Sequence, residues 1–193
     1  MAMTQEMKER LEKSLSPKRF SHSQGVASAA RELAIQYGVD VEAAESAGWL
    51  HDCAKQMPLT DMQAYVRQAG YTVNRAVWNS PALLHGPAGA ALAAAEYGVS
   101  NHDILRAIFY HTVGRKMMSP LEKIVFLADY IEPGRDFPGV ERIRAAAKVS
   151  LNAGVLAGIE ATLHHLLETG STIYIGTVET RNWILESEEN IER

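Results

Sequence analysis

Gly48-Trp49-Leu50-His51-Asp52-Cys53-Ala54-Lys55 closes an apolar helical stretch with a His-Asp doublet and sets a lysine just beyond it. Working back from the doublet, Ala44, Ala47 and Leu50 recur at helical spacing, which predicts a helix from about Val41 to about Lys55 with these residues and His51 facing inward. Adjacent imidazole and carboxylate can bind one metal ion, and a lysine one turn on can reach a phosphate. Such a doublet on its own is as readily a surface or helix-end pair. Its company changes the reading: His22 lies upstream, His85 and His111 downstream, and Asp129 sits inside the apolar run Lys123-Ile124-Val125-Phe126-Leu127-Ala128-Asp129-Tyr130-Ile131.

The rest of the chain reads as all-α. Ser16-Pro17 is an N-cap followed by proline at the first helical position, and that helix runs to Gly38, with His22, Val26, Ala29 and Leu33 on one face. Thr60-Asp61-Met62-Gln63 and Ser119-Pro120-Leu121-Glu122 fit capping boxes and place helices at about 61–69 and 120–131. His85 stands just ahead of Gly86-Pro87, where an alanine-rich helix is expected to begin. Ile104, Ala107, Ile108 and His111 again put a histidine on an apolar face. Two long helices are expected over about 139–169, then an extended piece from Thr172 to Thr177 and a last helix through Trp183 and Leu185. No repeat or linker breaks the pattern, so one domain is expected over 1–193, with a metal-binding core at about 18–135 and C-terminal helices at about 139–190 packing on it.

Composition restricts the function. At 193 residues and 47% hydrophobic the chain can bury a real core, and a net charge of −4 argues against a general nucleic-acid binder. Any polyanion must be met by a local cluster of Arg and Lys. The single cysteine, Cys53, rules out an intrachain disulfide and a cysteine-based zinc site. Neither a signal sequence at Met1-Ala2-Met3-Thr4-Gln5-Glu6 nor an apolar run of about 18 residues is found, so a cytoplasmic protein with no membrane partner is expected.

Asp129 among Leu127, Ala128, Tyr130 and Ile131 would cost several kcal/mol to bury unpaired. A metal ion, an arginine or protonation must accompany it if it is buried; a structural ion pair or an exposed stripe is the plainer alternative. Taken singly, His22, His85 and His111 are as well read as hydrogen-bonded core or surface histidines. His102, His164 and His165 fall at solvated or capping positions, and Cys53 and Trp49, Trp78 and Trp183 read as packing residues. Taken together, His22, His51, Asp52 and Asp129 offer two nitrogen and two oxygen donors from three helices. That set suits iron, manganese, magnesium or zinc. His85 and His111 complete a second metal position with Asp52 as the bridge, or donate hydrogen bonds to a phosphate if one ion binds. Two ions about 3.5 to 4 Å apart would stabilise the attacking and leaving oxygens of a phosphoryl displacement.

The order and identity of these residues resemble the HD superfamily of metal-dependent phosphohydrolases, whose pattern is a histidine, a His-Asp pair and a distant aspartate. The likeness narrows to the YqeK family through Arg19-Phe20-Ser21-His22, Leu50 to Lys55, Leu83-Leu84-His85-Gly86-Pro87, Tyr110-His111-Thr112-Val113-Gly114-Arg115 and the block from Leu127 through Pro133-Gly134-Arg135-Asp136-Phe137-Pro138-Gly139-Val140. The resemblance covers about Arg19 to Leu185. It implies an HD-domain helical bundle with its metal site between helices, a divalent metal with iron favoured, and symmetrical hydrolysis of diadenosine tetraphosphate to two ADP. By position it implies His22, His51, Asp52 and Asp129 as metal ligands, and His85 and His111 at a second ion or the phosphates. Arg19, Lys55 and Arg135 are implied as phosphate contacts, with Thr112, Gly114 and Arg115 as further ones. Thr172, Ile173, Tyr174, Ile175, Gly176 and Thr177 resemble the family's nucleotide-contacting stretch, although Ile175-Gly176 departs from its proline and aspartate. Other HD activities (5'-nucleotidase, dNTPase or cyclic-dinucleotide phosphodiesterase) and a non-catalytic nucleotide sensor are the alternatives, and a homodimer is compatible with the chain.

Overall fold

Serine followed by proline starts three of the helices in the computed structural model. Ser16, Ser80 and Ser119 take the N-cap positions ahead of Pro17, Pro81 and Pro120, where proline's fixed φ and missing N–H suit the first helical residue. Ser119 also builds the expected capping box: its hydroxyl accepts from the Glu122 N–H at 3.2 Å while the Glu122 carboxylate accepts from the Ser119 N–H at 2.6 Å. Two helices end on glycines in the left-handed region, Gly38 at φ 66° and Gly98 at φ 65°.

The structure describes residues 2–189. The outermost limits of the expected domain, residue 1 and residues 190–193, lie outside the described residues. Among the described residues there are eleven helices and no strand, in keeping with the all-α expectation. They are α1 (Gln5–Ser14), α2 (Pro17–Tyr37), α3 (Val41–Leu50), α4 (Leu59–Gln68), α5 (Arg75–Trp78), α6 (Pro81–Tyr97), α7 (His102–Tyr110), α8 (Pro120–Ile131), α9 (Val140–Val149), α10 (Leu151–Glu168) and α11 (Ile175–Glu189). No described helix is long and apolar enough to cross a membrane.

Helix α2 packs on α3 and α8, and α7 closes against α3, α6 and α8, enclosing a main core that includes Leu33, Leu50, Ile104, Ile108, Ile124 and Leu127. The approach of α2 to α3 is close because Gly48 has no Cβ; one placed there would lie 2.8 Å from the Ala27 Cα. Around this core, α4, α5 and α6 gather Met62, Val66, Val77 and Leu84, while α8, α10 and α11 gather Phe126, Val155, Ile159 and Ile184.

Several boundaries differ from those expected. Helix α3 stops at Leu50 instead of reaching Lys55. The next residues form successive tight turns, with the Cys53 N–H donating to the Leu50 carbonyl and the Lys55 N–H to that of Asp52. Helix α4 starts at Leu59 behind Pro58, so Thr60 is already inside it and its hydroxyl turns to the Asp61 carboxylate. Helix α6 begins at Pro81, placing His85 in its second turn and Pro87 within it, because Ser80-Pro81 is the earlier start signal. The extended piece is confined to Thr172–Tyr174, since Ile175 opens α11. Helix α1 was not expected: its apolar stripe is only one residue wide, Met7 and Leu11 with Met3 and Leu15 flanking the helix, and its capping partner for Thr4 is a methionine.

Candidate metal centre

The tight turns after α3 set the geometry of the site. They place His51 at the C-cap of α3 and Asp52 one residue beyond the helix axis, so the two side chains converge instead of radiating around a helix. His22 comes from α2, His85 from α6, His111 from the C-cap of α7 and Asp129 from α8. Six residues spread from His22 to Asp129 in the chain thus meet between five helices and one turn.

The donors fall into two groups that share Asp52. On one side, His22 Nε2 is 3.0 Å from Asp129 Oδ1 and 3.3 Å from His51 Nε2, while Asp52 Oδ2 lies 3.5 Å from His51 Nε2 and 3.9 Å from His22 Nε2. On the other, Asp52 Oδ1 lies 3.2 Å from His85 Nε2 and 3.6 Å from His111 Nε2, and these two nitrogens are 3.0 Å apart. His51 and His111 each use Nδ1 against a carbonyl of their own helix, Gly48 and Ile108, both at 2.7 Å. An Nδ1–H donated there leaves the Nε2 lone pair directed inward.

The centre is buried, and its charges sustain one another. His51 and His85 are fully buried, and His111 and Asp52 are exposed by 1% and 2%. Burial opposes the Asp52 charge, yet His51, His111 and His85 together hold its carboxyl well below the usual carboxylate range. Asp129 is likewise depressed, its burial outweighed by His22, His51 and Arg135. Burial pulls His51 down, but Asp52 and Asp129 outweigh it and the imidazole is raised; at His85 burial prevails and the pKa falls to about 4. Lys55 is lowered by burial in spite of Asp52.

Convergent imidazole lone pairs and carboxylates fit a divalent cation. Asp52 Oδ1 is buried without a hydrogen-bond partner, a costly arrangement for a carboxylate oxygen unless a cation completes it. The triplets His22, His51, Asp129 and His51, Asp52, His111 each bring ligand atoms within 4.8 Å of one another. Nitrogen and oxygen donors without thiolate match a hard or borderline ion.

Three cations form the rim of this acidic floor. Arg19 Nη1 donates to Asp52 Oδ2 at 2.6 Å, and Lys55 Nζ lies 3.0 Å from His85 Nε2. Arg135 pairs with Asp129 Oδ1 and donates from Nε to its carbonyl. The side chains of Arg19, Lys55 and Arg135 are 31%, 32% and 36% exposed, against 3% for that of Asp52, so they stand between the buried donors and solvent. Thr112 joins them, its hydroxyl 3.0 Å from His85 Nε2 and 3.2 Å from His111 Nε2.

Arg115 is placed otherwise. Its Nε and Nη2 both donate at 2.9 Å to the buried Glu122 carboxylate, away from the six metal-site side chains. Tyr174 accepts from Asn74 Nδ2 at 2.7 Å and packs against the cluster that holds Val77 and Leu84, bridging α5 and the start of α11. Gly176 makes room for it, because a Cβ there would lie 2.4 Å from Tyr174 Cε1. Thr177 is buried, Ile175 is exposed, and Gly114 turns at φ 68° against Thr180. Glu132 was missed as a contributor: its Oε1 lies 3.1 Å from His22 Nδ1. Its signal in the sequence is an acid one helical turn after Asp129.

A family model described as HD domain matches residues 19–134. A protein of Halalkalibacterium halodurans named bis(5'-nucleosyl)-tetraphosphatase, symmetrical, is 41% identical over 89% of this chain and 91% of its own length. One of Staphylococcus aureus with the same name is 40% identical over 98% of both chains. A crystal structure from Clostridium acetobutylicum, described as an HD superfamily hydrolase involved in NAD metabolism, superposes with a TM-score of 0.92 at 38% identity, covering 97% of this chain and 100% of that one.

Proposed function

The chain belongs to the HD-domain family, and we propose that it is a metal-dependent phosphohydrolase that cleaves diadenosine tetraphosphate symmetrically into two ADP. The observation that carries this reading is the Asp52 carboxylate, one oxygen facing His22 and His51 and the other His85 and His111, beneath a rim of Arg19, Lys55 and Arg135.

His22, His51, Asp52 and Asp129 would hold one divalent ion, with iron our first choice, and Asp52, His85 and His111 would hold a second or meet the phosphates. A divalent cation held there supplies Lewis acidity and a lowered pKa for bound water. The chain's own side chains supply register. A tetraphosphate carries several negative charges, and Arg19, Lys55 and Arg135 are ion-paired within the protein, free to exchange those contacts for phosphoryl oxygens. Two ADP arise only if attack falls on an inner phosphate, so these three cations and Thr112 must fix the chain symmetrically about the floor. His85, neutral at pH 7, can accept or donate a hydrogen bond there. Tyr174 and the opening of α11 would contact a nucleoside beyond the phosphates, as the family resemblance implies. ADP is a good anionic leaving group, and no separate general acid is required.

The test is product analysis of diadenosine tetraphosphate with the purified chain, before and after chelation and with ferrous iron or manganese restored. ADP as the sole product, abolished by chelation and by Asp52→Ala, is expected. AMP plus ATP, or no turnover with any metal, would overturn the assignment and direct attention to mononucleotides and cyclic dinucleotides.

A further inference from the structure

His22 lies in the second turn of the long helix α2, as His85 lies in the second turn of α6. His51 and His111 are C-cap residues, and each holds its Nδ1 on the carbonyl three residues back in its own helix. His85 likewise has its Nδ1 3.4 Å from the Pro81 carbonyl, one turn back in α6. The Nδ1 of His22 is met instead by a carboxylate, that of Glu132, 110 positions away in sequence, at 3.1 Å.

Glu132 is itself held. It is 5% exposed, and its second oxygen accepts from the Gly134 N–H at 2.6 Å. The loop it starts is pinned from α9 by Arg144, which donates to the carbonyls of Ile131, Glu132 and Arg135 at 3.2, 3.0 and 3.1 Å. Space for the carboxylate is made on α2, where a Cβ on Gly25 would sit 2.4 Å from Glu132 Oε2. A buried glutamate, a fixed loop and a glycine in a helix interior thus converge on one imidazole nitrogen.

We infer that Glu132 is a positioning residue for the metal centre: it accepts the His22 Nδ1–H, fixes that ring with Nε2 toward Asp129, and strengthens Nε2 as a metal ligand. The inference rests on the metal-centre reading above and is independent of which nucleotide is cleaved. A carboxylate acceptor raises the basicity of the far nitrogen more than the neutral carbonyls serving His51 and His111. Glu132 and Gly25 thus act on the metal without touching it.

The experiment is a Co2+ titration of the full chain, followed by absorption, for wild type, Glu132→Gln and Gly25→Ala, alongside thermal unfolding of the chelated proteins. Glu132→Gln keeps shape but can accept from only one of His22 and Gly134 through its single amide oxygen. Gly25→Ala keeps the carboxylate and displaces it, while alanine favours the helix. Both are expected to weaken Co2+ binding about 10- to 100-fold, while both chelated variants still unfold in one cooperative transition. A long-range nitrogen–proton spectrum of the zinc-loaded wild type should place the hydrogen of His22 on Nδ1. Co2+ affinity within twofold of wild type in both variants, or a hydrogen on His22 Nε2, would overturn the inference. A wild type that takes up no metal would overturn the metal-centre reading and this inference with it.

Discussion

Replacing Gly48 by alanine should separate the two helices that carry His22 and His51. The added Cβ would lie 2.8 Å from the Ala27 Cα, 3.0 Å from its nitrogen and 3.0 Å from the Val26 carbonyl oxygen. All three are backbone atoms in the middle of α2, so no side chain can swing aside. Restoring an ordinary contact parts α2 and α3 by roughly 0.6 Å, and overpacking of this kind costs about 1–3 kcal/mol. Alanine's better helix propensity returns up to about 1 kcal/mol. The net loss of about 1–2 kcal/mol corresponds to a Tm lower by roughly 2–8 °C for a chain of this size. The same displacement exceeds the roughly 0.2 Å tolerance of metal–ligand distances. His22 Nε2 and His51 Nε2, now 3.3 Å apart, would no longer reach one ion equally well, and kcat/KM should fall about tenfold or more. Circular-dichroism melting of the chelated protein and steady-state ADP release measure the two effects separately. A variant with unchanged or raised Tm and wild-type turnover would refute the reasoning, because it would mean that the α2–α3 contact is not what sets the His22–His51 distance. Gly25→Ala is the natural contrast: there the added Cβ meets the Glu132 side chain and no backbone, so the carboxylate is displaced while the helices need not part.

Arg115→Ala should act on stability more than on substrate. It leaves the buried Glu122 with the Ser119 N–H and a distant Arg106 at 3.8 Å, a loss of about 2 kcal/mol, so Tm should fall by roughly 4–8 °C while KM changes less than about twofold; unchanged melting with a raised KM would return Arg115 to the phosphates. Tyr130 gives an alkaline prediction. Burial, with the Asp129 charge adding to it, pushes the phenol up to about 12 against the opposing effect of its hydrogen bond with Thr162. Because the folded pKa lies above the unfolded value of about 10, the stabilisation is complete below pH 10 and is lost as pH rises toward 12, about 2–3 kcal/mol in all. Tyr130→Phe should cost about 1 kcal/mol at pH 8 and flatten the decline above pH 10; a slope as steep as wild type in urea melts between pH 10 and 12 would count against it.

The legibility of the chain tracks the range of the forces involved. Serine-proline starts and the stops at Gly38 and Gly98 act within a few residues, which is why α2 and α8 can be placed from sequence. The turn after Leu50 depends on His51 Nδ1 taking the Gly48 carbonyl and on bonds between residues three apart, which an apolar pattern continuing to Ala54 does not disclose. Helix α6 was misplaced for a related reason: Pro87 is tolerated inside it, so the earlier Ser80-Pro81 signal sets the start. Arg115 shows the limit for side chains. Its charge and its place after His111 suggest a phosphate contact, but its pairing with Glu122 comes from the packing of α7 against α8, which the sequence does not disclose.

By itself the sequence determines the all-helical class and the residue types able to hold a hard cation, because helix signals are local and coordination chemistry belongs to side chains. It also carries the order of histidines and aspartates that marks the family. Only the tertiary structure decides that Asp52 divides its oxygens between two pairs of imidazoles, that Arg19, Lys55 and Arg135 form one rim, and that Glu132 supports His22 across 110 residues. Those relations depend on packing between distant segments, where the missing Cβ of Gly48 lets α2 and α3 approach and that of Gly25 leaves room for the Glu132 carboxylate.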